Sequence, residues 1–328
     1  MSKSLMIVSA SGNYIPYLNA LLNSITKYKL QERKQFDVLV LTDDSMPENY
    51  KNLAVDNFPF KIQFKDIDAA AAGIDPSWGK AWQCKAGRYY HLMTDGREYD
   101  SCCLMDADLY IVSDELVDYF GLVEGTSTLM GCNERIKWNI SDIYQFDGKP
   151  MLEQECRLNK FHCNVPLFLD ANKWQDVLQE YLKIIYRGIE HREGKEKVIG
   201  DLYSWNMAIY RKHREKDVMM IPMPSMTQVH RTGYRDRHCA TKRERNGYWT
   251  TGDGDVVYCL HGRPDKPSFR SLQNKNEYQK HGIDKSMYKK YLKLIEEEWK
   301  DVNFNYSVDL REVVSNNPHW EVMGDINF

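Results

Sequence analysis

Apolar positions fall into short uninterrupted runs in the first half of the chain and into helical spacing between them. Residues 5–9 form a continuous apolar run, which predicts a first strand buried on both faces. The turn Ala10-Ser11-Gly12-Asn13 follows it, and then Tyr14, Leu18, Leu21, Leu22 and Ile25 recur at helical spacing, with Asn13 placed to cap the helix. Residues 36–41 predict a second strand ending at Thr42-Asp43-Asp44, and the alternating 60–64 stretch a third. A helix carrying Trp82, Lys85, Arg88 and Tyr89 then leads to an apolar run from Cys102 to Met105. Strands alternating with helices predict an α/β fold with a mostly parallel, doubly wound sheet. Ligands bind such sheets beyond the carboxyl ends of the strands.

The second half is less regular. Residues 129–132 and 165–169 read as strands, and Pro166 puts the latter at an edge or a bulge. A helix is predicted from Trp174 to Tyr186 and another from Asp201 to Tyr210, the second opening on a capping acid. Residues 230–250 read as a long loop, and residues 256–260 as a short strand running into His261-Gly262. Near the end, Met287, Tyr291, Ile295 and Trp299 fall at helical steps. Nothing resembling a linker divides the chain, so the simplest organisation is a catalytic domain over 1–270 with a helical extension over 271–328 packed on it.

Composition narrows this only slightly. A net charge of -3 over 328 residues implies neither a nucleic-acid nor a membrane partner. Eight cysteines without a C-x-x-C pair suggest reduced thiols in a cytoplasmic setting. The opening apolar run is too short for a signal peptide, and no run approaches membrane-spanning length. Lys285, Lys289, Lys290 and Lys293 flank the terminal helix, which either packs on its own domain, makes a dimer contact or lies at a membrane surface.

The chemistry concentrates at Asp106-Ala107-Asp108, between the run ending at Met105 and a second apolar run from Leu109 to Val112. Two acids at i and i+2 after a buried strand call for a counter-charge. Hard oxygen ligands of this kind suit Mg²⁺ or Mn²⁺, ions that bridge to phosphates. The plain alternative is a solvated turn with incidental acids.

Taken with its surroundings, this motif resembles the glycosyltransferases of the GT-A fold, most of all family 8. Leu104-Met105-Asp106-Ala107-Asp108 is similar to the family's Leu-Asp-Ala-Asp metal motif. The opening strand, its small-residue turn and the Leu21-Leu22-Asn23-Ser24-Ile25 helix resemble the nucleotide-binding start, which implies donor contacts from Ala10, Ser11 and Asn13. Residues 80–93, with Lys85 and Arg88, resemble the helix whose arginine reaches the nucleotide sugar; otherwise both cations lie on a solvated helix face. Asn164 stands in the family's Asn-Ala-Gly strand, here without the glycine. Asp201 opens a segment resembling Asp-Gln-Asp-x-x-Asn, with Leu202 replacing the glutamine and Tyr203 the second acid. His261-Gly262 to Lys266-Pro267 resembles the terminal His-Gly-Lys-Pro motif.

The resemblance implies transfer of a hexose or pentose from a nucleoside diphosphate sugar, UDP-linked, to an acceptor hydroxyl, with retention rather than inversion. Asp106, Asp108 and His261 supply two oxygens and an imidazole, a set favouring Mn²⁺ over Mg²⁺, and Lys266 adds an ammonium for the diphosphate. Asp201 is the candidate catalytic carboxylate and Asn164 the candidate for hydrogen bonding to the donor sugar; the alternatives are a helix cap and a strand cap. The basic, aromatic stretch 231–245 is compatible with an anionic acceptor, either a phosphorylated glycan or nucleic acid. Rival readings are a nucleotide-sugar-binding protein without turnover and a sugar-phosphate nucleotidyltransferase. Against the second, the turn after the first strand has one glycine and no arginine.

Overall fold

A computed structural model of the chain describes residues 2–67, 80–133, 144–146, 149–150, 161–162, 166–192, 195–198, 201–212, 217–221, 241–242, 249–250, 256 and 258–261. The predicted terminal helix and the extension over 271–328 lie outside the described residues, as do Asn164, Lys266 and most of the basic loop. For Asn13, Lys85, Asp201 and His261 the structure describes the backbone alone.

The chain runs β1 (Ser4–Ser9), α1 (Ile15–Lys27), α2 (Leu30–Arg33), β2 (Asp37–Thr42), α3 (Glu48–Asn57), β3 (Ile62–Asp66) and α4 (Lys80–Thr94). It continues with β4 (Ser101–Asp106), β5 (Leu109–Ile111), α5 (Asp118–Val123), β6 (Thr128–Asn133), β7 (Tyr144–Phe146), β8 (Lys149–Pro150), β9 (Phe161–His162) and β10 (Leu167–Leu169). After these come α6 (Gln175–Arg187), β11 (Gly188–Arg192), β12 (Lys195–Val198), α7 (Asp201–Lys212), β13 (Asp217–Ile221), β14 (Thr241–Lys242), β15 (Trp249–Thr250) and β16 (Cys259–His261).

The main sheet has the order β13-β6-β10-β4-β1-β2-β3. β1 pairs in parallel with both β2 and β4, β2 with β3, and β13 with β6; β10 is antiparallel to β4 and β6. The fold is therefore the mostly parallel α/β sheet that the sequence predicts. Its uninterrupted apolar strands have a simple cause. On β1, Met6 and Val8 join one core with α1 and α3, while Leu5 and Ile7 join a second core with α4, α6 and α7. With both faces buried, no position on the strand can be polar without cost.

Two expectations are corrected and one alternative is excluded. Asn13 does not cap α1: it lies inside a 3-10 turn over Gly12–Tyr14, and Tyr14 takes the cap position. The strand after Pro166 is not at an edge. β10 sits between β6 and β4, and Pro166 precedes the ladder, so its missing N–H removes no strand bond. Of the two readings of Arg88, the solvated helix face is excluded, because the residue is fully buried. The small sheet β12-β11-β7-β8 was not anticipated, its strands being too polar to show an apolar period.

Two features hold α4 in place. Tyr89 stacks on Tyr181 of α6 at 4.1 Å and on Trp205 of α7 at 5.0 Å, all three rings shielded from solvent. At the far end of α4, His91 Nδ1 lies 2.7 Å from Asp95, and Lys65 of β3 donates to the same carboxylate at 2.8 Å. Burial pushes the Asp95 carboxyl up, but the Lys65 and His91 hydrogen bonds outweigh it and hold the group below the usual carboxylate range. Cys102 and Cys103 behave as small hydrophobes, since burial pushes both thiols far above their ordinary range.

Truncating Trp205 to alanine empties the centre of this contact and is expected to cost about 3–5 kcal/mol, read from the urea midpoint. Asp95 has a depressed folded-state value, so its stabilisation is present above an unfolded value of about 4 and is lost as pH falls through the folded value. Asp95→Asn is therefore expected to flatten the decline in melting temperature below about pH 4, while lowering the neutral-pH value.

Candidate active site

The carboxyl ends of β1, β2 and β4 line one edge of the sheet, with Ser9 in register with Asp106. Order 3-2-1-4 makes this edge a topological switch point, where the chain leaves β1 toward one side and returns at β4 on the other. The turn after β1 is held there by Ala10 N–H donating to Leu41 O at 2.9 Å, and it closes with Tyr14 N–H to Ser11 O at 2.8 Å. Ala10 and Ser11 are thus placed at the edge as the sequence predicts.

The turn after β2 is tied to the same place. Gly12 N–H donates to Ser45 Oγ at 2.8 Å, and the Ser45 hydroxyl and N–H both donate to Asp43 Oδ1, the latter at 2.9 Å. The other oxygen, Asp43 Oδ2, is buried with no hydrogen-bond partner among the described residues. A buried carboxylate oxygen without a donor is costly, so a ligand N–H or O–H would relieve it. Sequence reasoning passed over Asp43 because it reads as an ordinary turn residue; its one signal was a place at the end of an apolar strand.

Asp106 ends β4 and Asp108 follows in the turn before β5. Asp106 Oδ1 accepts from the Arg88 guanidinium of α4 at 2.5 Å; the Arg88 side chain is 0% exposed and that of Asp106 15%. Arg88 Cζ also lies 5.6 Å from the Tyr89 ring centroid. The counter-charge required by the acids is thus supplied from within the protein. Asp108 is 4% exposed.

His261 arrives from far along the chain. β16 pairs antiparallel with β5, setting His261 opposite Leu109, the residue after Asp108. The pairing extends through Val112 N–H to Tyr258 O at 2.9 Å, and Tyr258 meets Tyr119 edge-on at 5.4 Å. Facing residues in such a ladder have Cα atoms about 4.5–5.5 Å apart. The register thus places the backbone of His261 beside the acidic pair. Among the described residues no group of three or more His, Cys, Asp and Glu side chains is assembled to hold a metal ion, and only the backbone of His261 is described.

Asp201 begins α7, as expected, one turn before Trp205. Trp205 packs on Tyr89, the neighbour of Arg88, so the helix of Asp201 lies against the helix of Arg88. Lys85 is three residues before Arg88 on α4, one turn away on the same side. Asn164 and Lys266 lie outside the described residues.

The fold is similar to that of WbbM, a bifunctional glycosyltransferase, with a TM-score of 0.54 at 15% identity over 88% of this chain and 51% of that one. It is also similar to the galactosyltransferase LgtC in complex with donor and acceptor sugar analogues, with a TM-score of 0.50 at 13% identity over 91% and 99% of the two chains. The fold is GT-A. The chain spans about half the length of WbbM and nearly all of LgtC. No family model and no curated protein sequence matches the chain. At such identities the likeness is one of fold, and within the GT-A fold the switch-point edge is where the residues described above meet. No helix among the described residues is long and apolar enough to cross a membrane.

Removing the buried cation at this edge is expected to be costly. Arg88→Met should lower unfolding stability by about 3–5 kcal/mol at neutral pH, because it leaves Asp106 uncompensated. Adding Asp106→Asn should restore part of the loss, and the difference in a double-mutant cycle from denaturant titration gives the coupling between them.

Proposed function

We propose that this protein is a metal-dependent glycosyltransferase of the family 8 type, moving a sugar from a UDP-linked donor to an acceptor hydroxyl with retention of configuration. The observation that carries the reading is the convergence of Asp106, Asp108 and the backbone of His261 at the carboxyl edge of a GT-A sheet. Those residues would hold Mn²⁺ or Mg²⁺, and the bound ion would neutralise charge developing on the departing diphosphate.

The protein groups divide the remaining work. Ala10, Ser11, Asn13 and the Asp43 carboxylate take the nucleoside, with Asp43 Oδ2 accepting from an N–H or O–H of the donor. Arg88 orients Asp106 and, with Lys85, favours the negative donor; Lys266 adds a point charge on the diphosphate. Asp201, in the first turn of α7, stands as the carboxylate beside the reacting sugar, and Asn164 hydrogen-bonds that sugar.

The test is thermal stability against UDP-, GDP- and ADP-sugars, each with and without Mn²⁺, for the wild type and Asp108→Asn. The expected outcome is a rise for the UDP-sugar that needs both the metal and Asp108, worth about 2.7 kcal/mol when ligand is at a hundredfold excess over its dissociation constant. No metal-dependent rise with any nucleotide sugar would overturn the proposal.

A further inference from the structure

Gly87 lies in the middle of α4 and is buried. Glycine inside a helix is destabilising relative to alanine, so its presence there needs a cause. Ile67 supplies one. A Cβ built on Gly87 would lie 2.5 Å from Ile67 Cγ2, whereas carbon atoms in ordinary contact stand about 3.5–4.0 Å apart. A single methyl on Gly87 would therefore force α4 and Ile67 apart by about 1 Å. Ile67 has little room to give way. Its side chain is branched at Cβ and stiff at χ1, and it packs against the core that contains Leu39, Leu41, Ala86 and Tyr89. Its N–H also donates to Thr42 O at 3.0 Å.

This contact joins the two sides of the candidate active site. Thr42 is fully buried at the carboxyl end of β2, and the turn that follows it holds Asp43 against Ser45, which in turn holds Gly12. On the helix, the residue after Gly87 is Arg88, which holds Asp106 at the end of β4. Successive residues of a helix point about 100° apart, so one turn of α4 meets the β2 side through Gly87 and the β4 side through Arg88. The distance of α4 from Ile67 thereby fixes how far the Arg88–Asp106 pair stands from the turn of Asp43.

We propose that Gly87 is a positioning residue for donor binding: by letting Ile67 touch the helix backbone, it sets the separation between the turn that takes the nucleoside and the acidic end of β4 that takes the diphosphate. The proposal rests on the glycosyl-transfer reading. A ligand that engages both ends at once binds best when their separation matches its own length, and one that engages a single end is indifferent to it. The tolerance is small, since a misplacement of about 1 Å in an aligned site can cost about a hundredfold in rate. In this role Gly87 acts through spacing and contacts no ligand.

Wild type, Gly87→Ala, Ile67→Phe and G87A/I67A would be compared by isothermal titration with UDP and with UMP, each in the presence of Mn²⁺. Gly87→Ala should weaken UDP binding about tenfold and UMP binding less than about twofold, because only UDP spans both ends. Ile67→Phe crowds the same contact from a partly buried position and should repeat that pattern, which keeps the test open where Gly87→Ala does not fold. In G87A/I67A the new methyl enters space that the isoleucine leaves, and UDP affinity should return to within about twofold of the wild type. A purely structural role for Gly87 would lower the melting temperature and leave the ratio of UDP to UMP affinity where it was. An unchanged ratio in the crowded variants, or no recovery in G87A/I67A, would overturn the proposal. Wild-type protein that binds neither nucleotide would overturn the donor reading on which the proposal stands.

Discussion

A guanidinium shut off from solvent must be paired, and in this protein Arg88 is paired with Asp106. That contact joins a helix on one face of the sheet to the carboxyl end of a central strand, and much of the architecture serves it. Tyr89 ties α4 to α6 and α7, which also pack on each other, through a three-ring contact, and the His91–Asp95–Lys65 cluster fastens the same helix to β3. Neither the helix nor the strand can shift without exposing an unpaired buried charge, which costs more than most packing defects. The acidic turn is rigid because its counter-ion is built into the core.

The second constraint is register. Ser9 lies in register with Asp106, and His261 is opposite Leu109. Since a one-residue slip turns every side chain of a strand to the other face, these pairings fix which groups share the edge. The antiparallel β10, inserted between β6 and β4, keeps β6 parallel to the rest of the sheet and returns its end to the same edge.

Much of this was legible in the chain. β1, β2 and β4 announce themselves because strands covered on both faces allow no polar interruption, and α6 because its apolar face is regular. Asp106 and Asp108 stand out as paired acids after such a strand. What escaped notice was tertiary in origin. Nothing local separates an arginine on a solvated face from one buried against a carboxylate, so the burial of Arg88 had to come from the fold. Pro166 misled because its missing donor falls just before the ladder begins. β11 and β12 are polar on most positions, and only their pairing reveals them as strands. Asp43 reads as a turn residue until Gly12 and Ser45 are seen to close around it.

The β16–β5 pairing also sets an order in time. β5 is synthesised early, beside the strand that carries Asp106, whereas β16 is the last described strand of the chain. Contacts between segments so far apart in sequence are among the slowest to form, because a long loop must close before anything is gained. A nascent chain can therefore hold the whole central sheet while its acidic turn still lacks His261. The β16–β5 pairing can form only after every strand of the main sheet has been made.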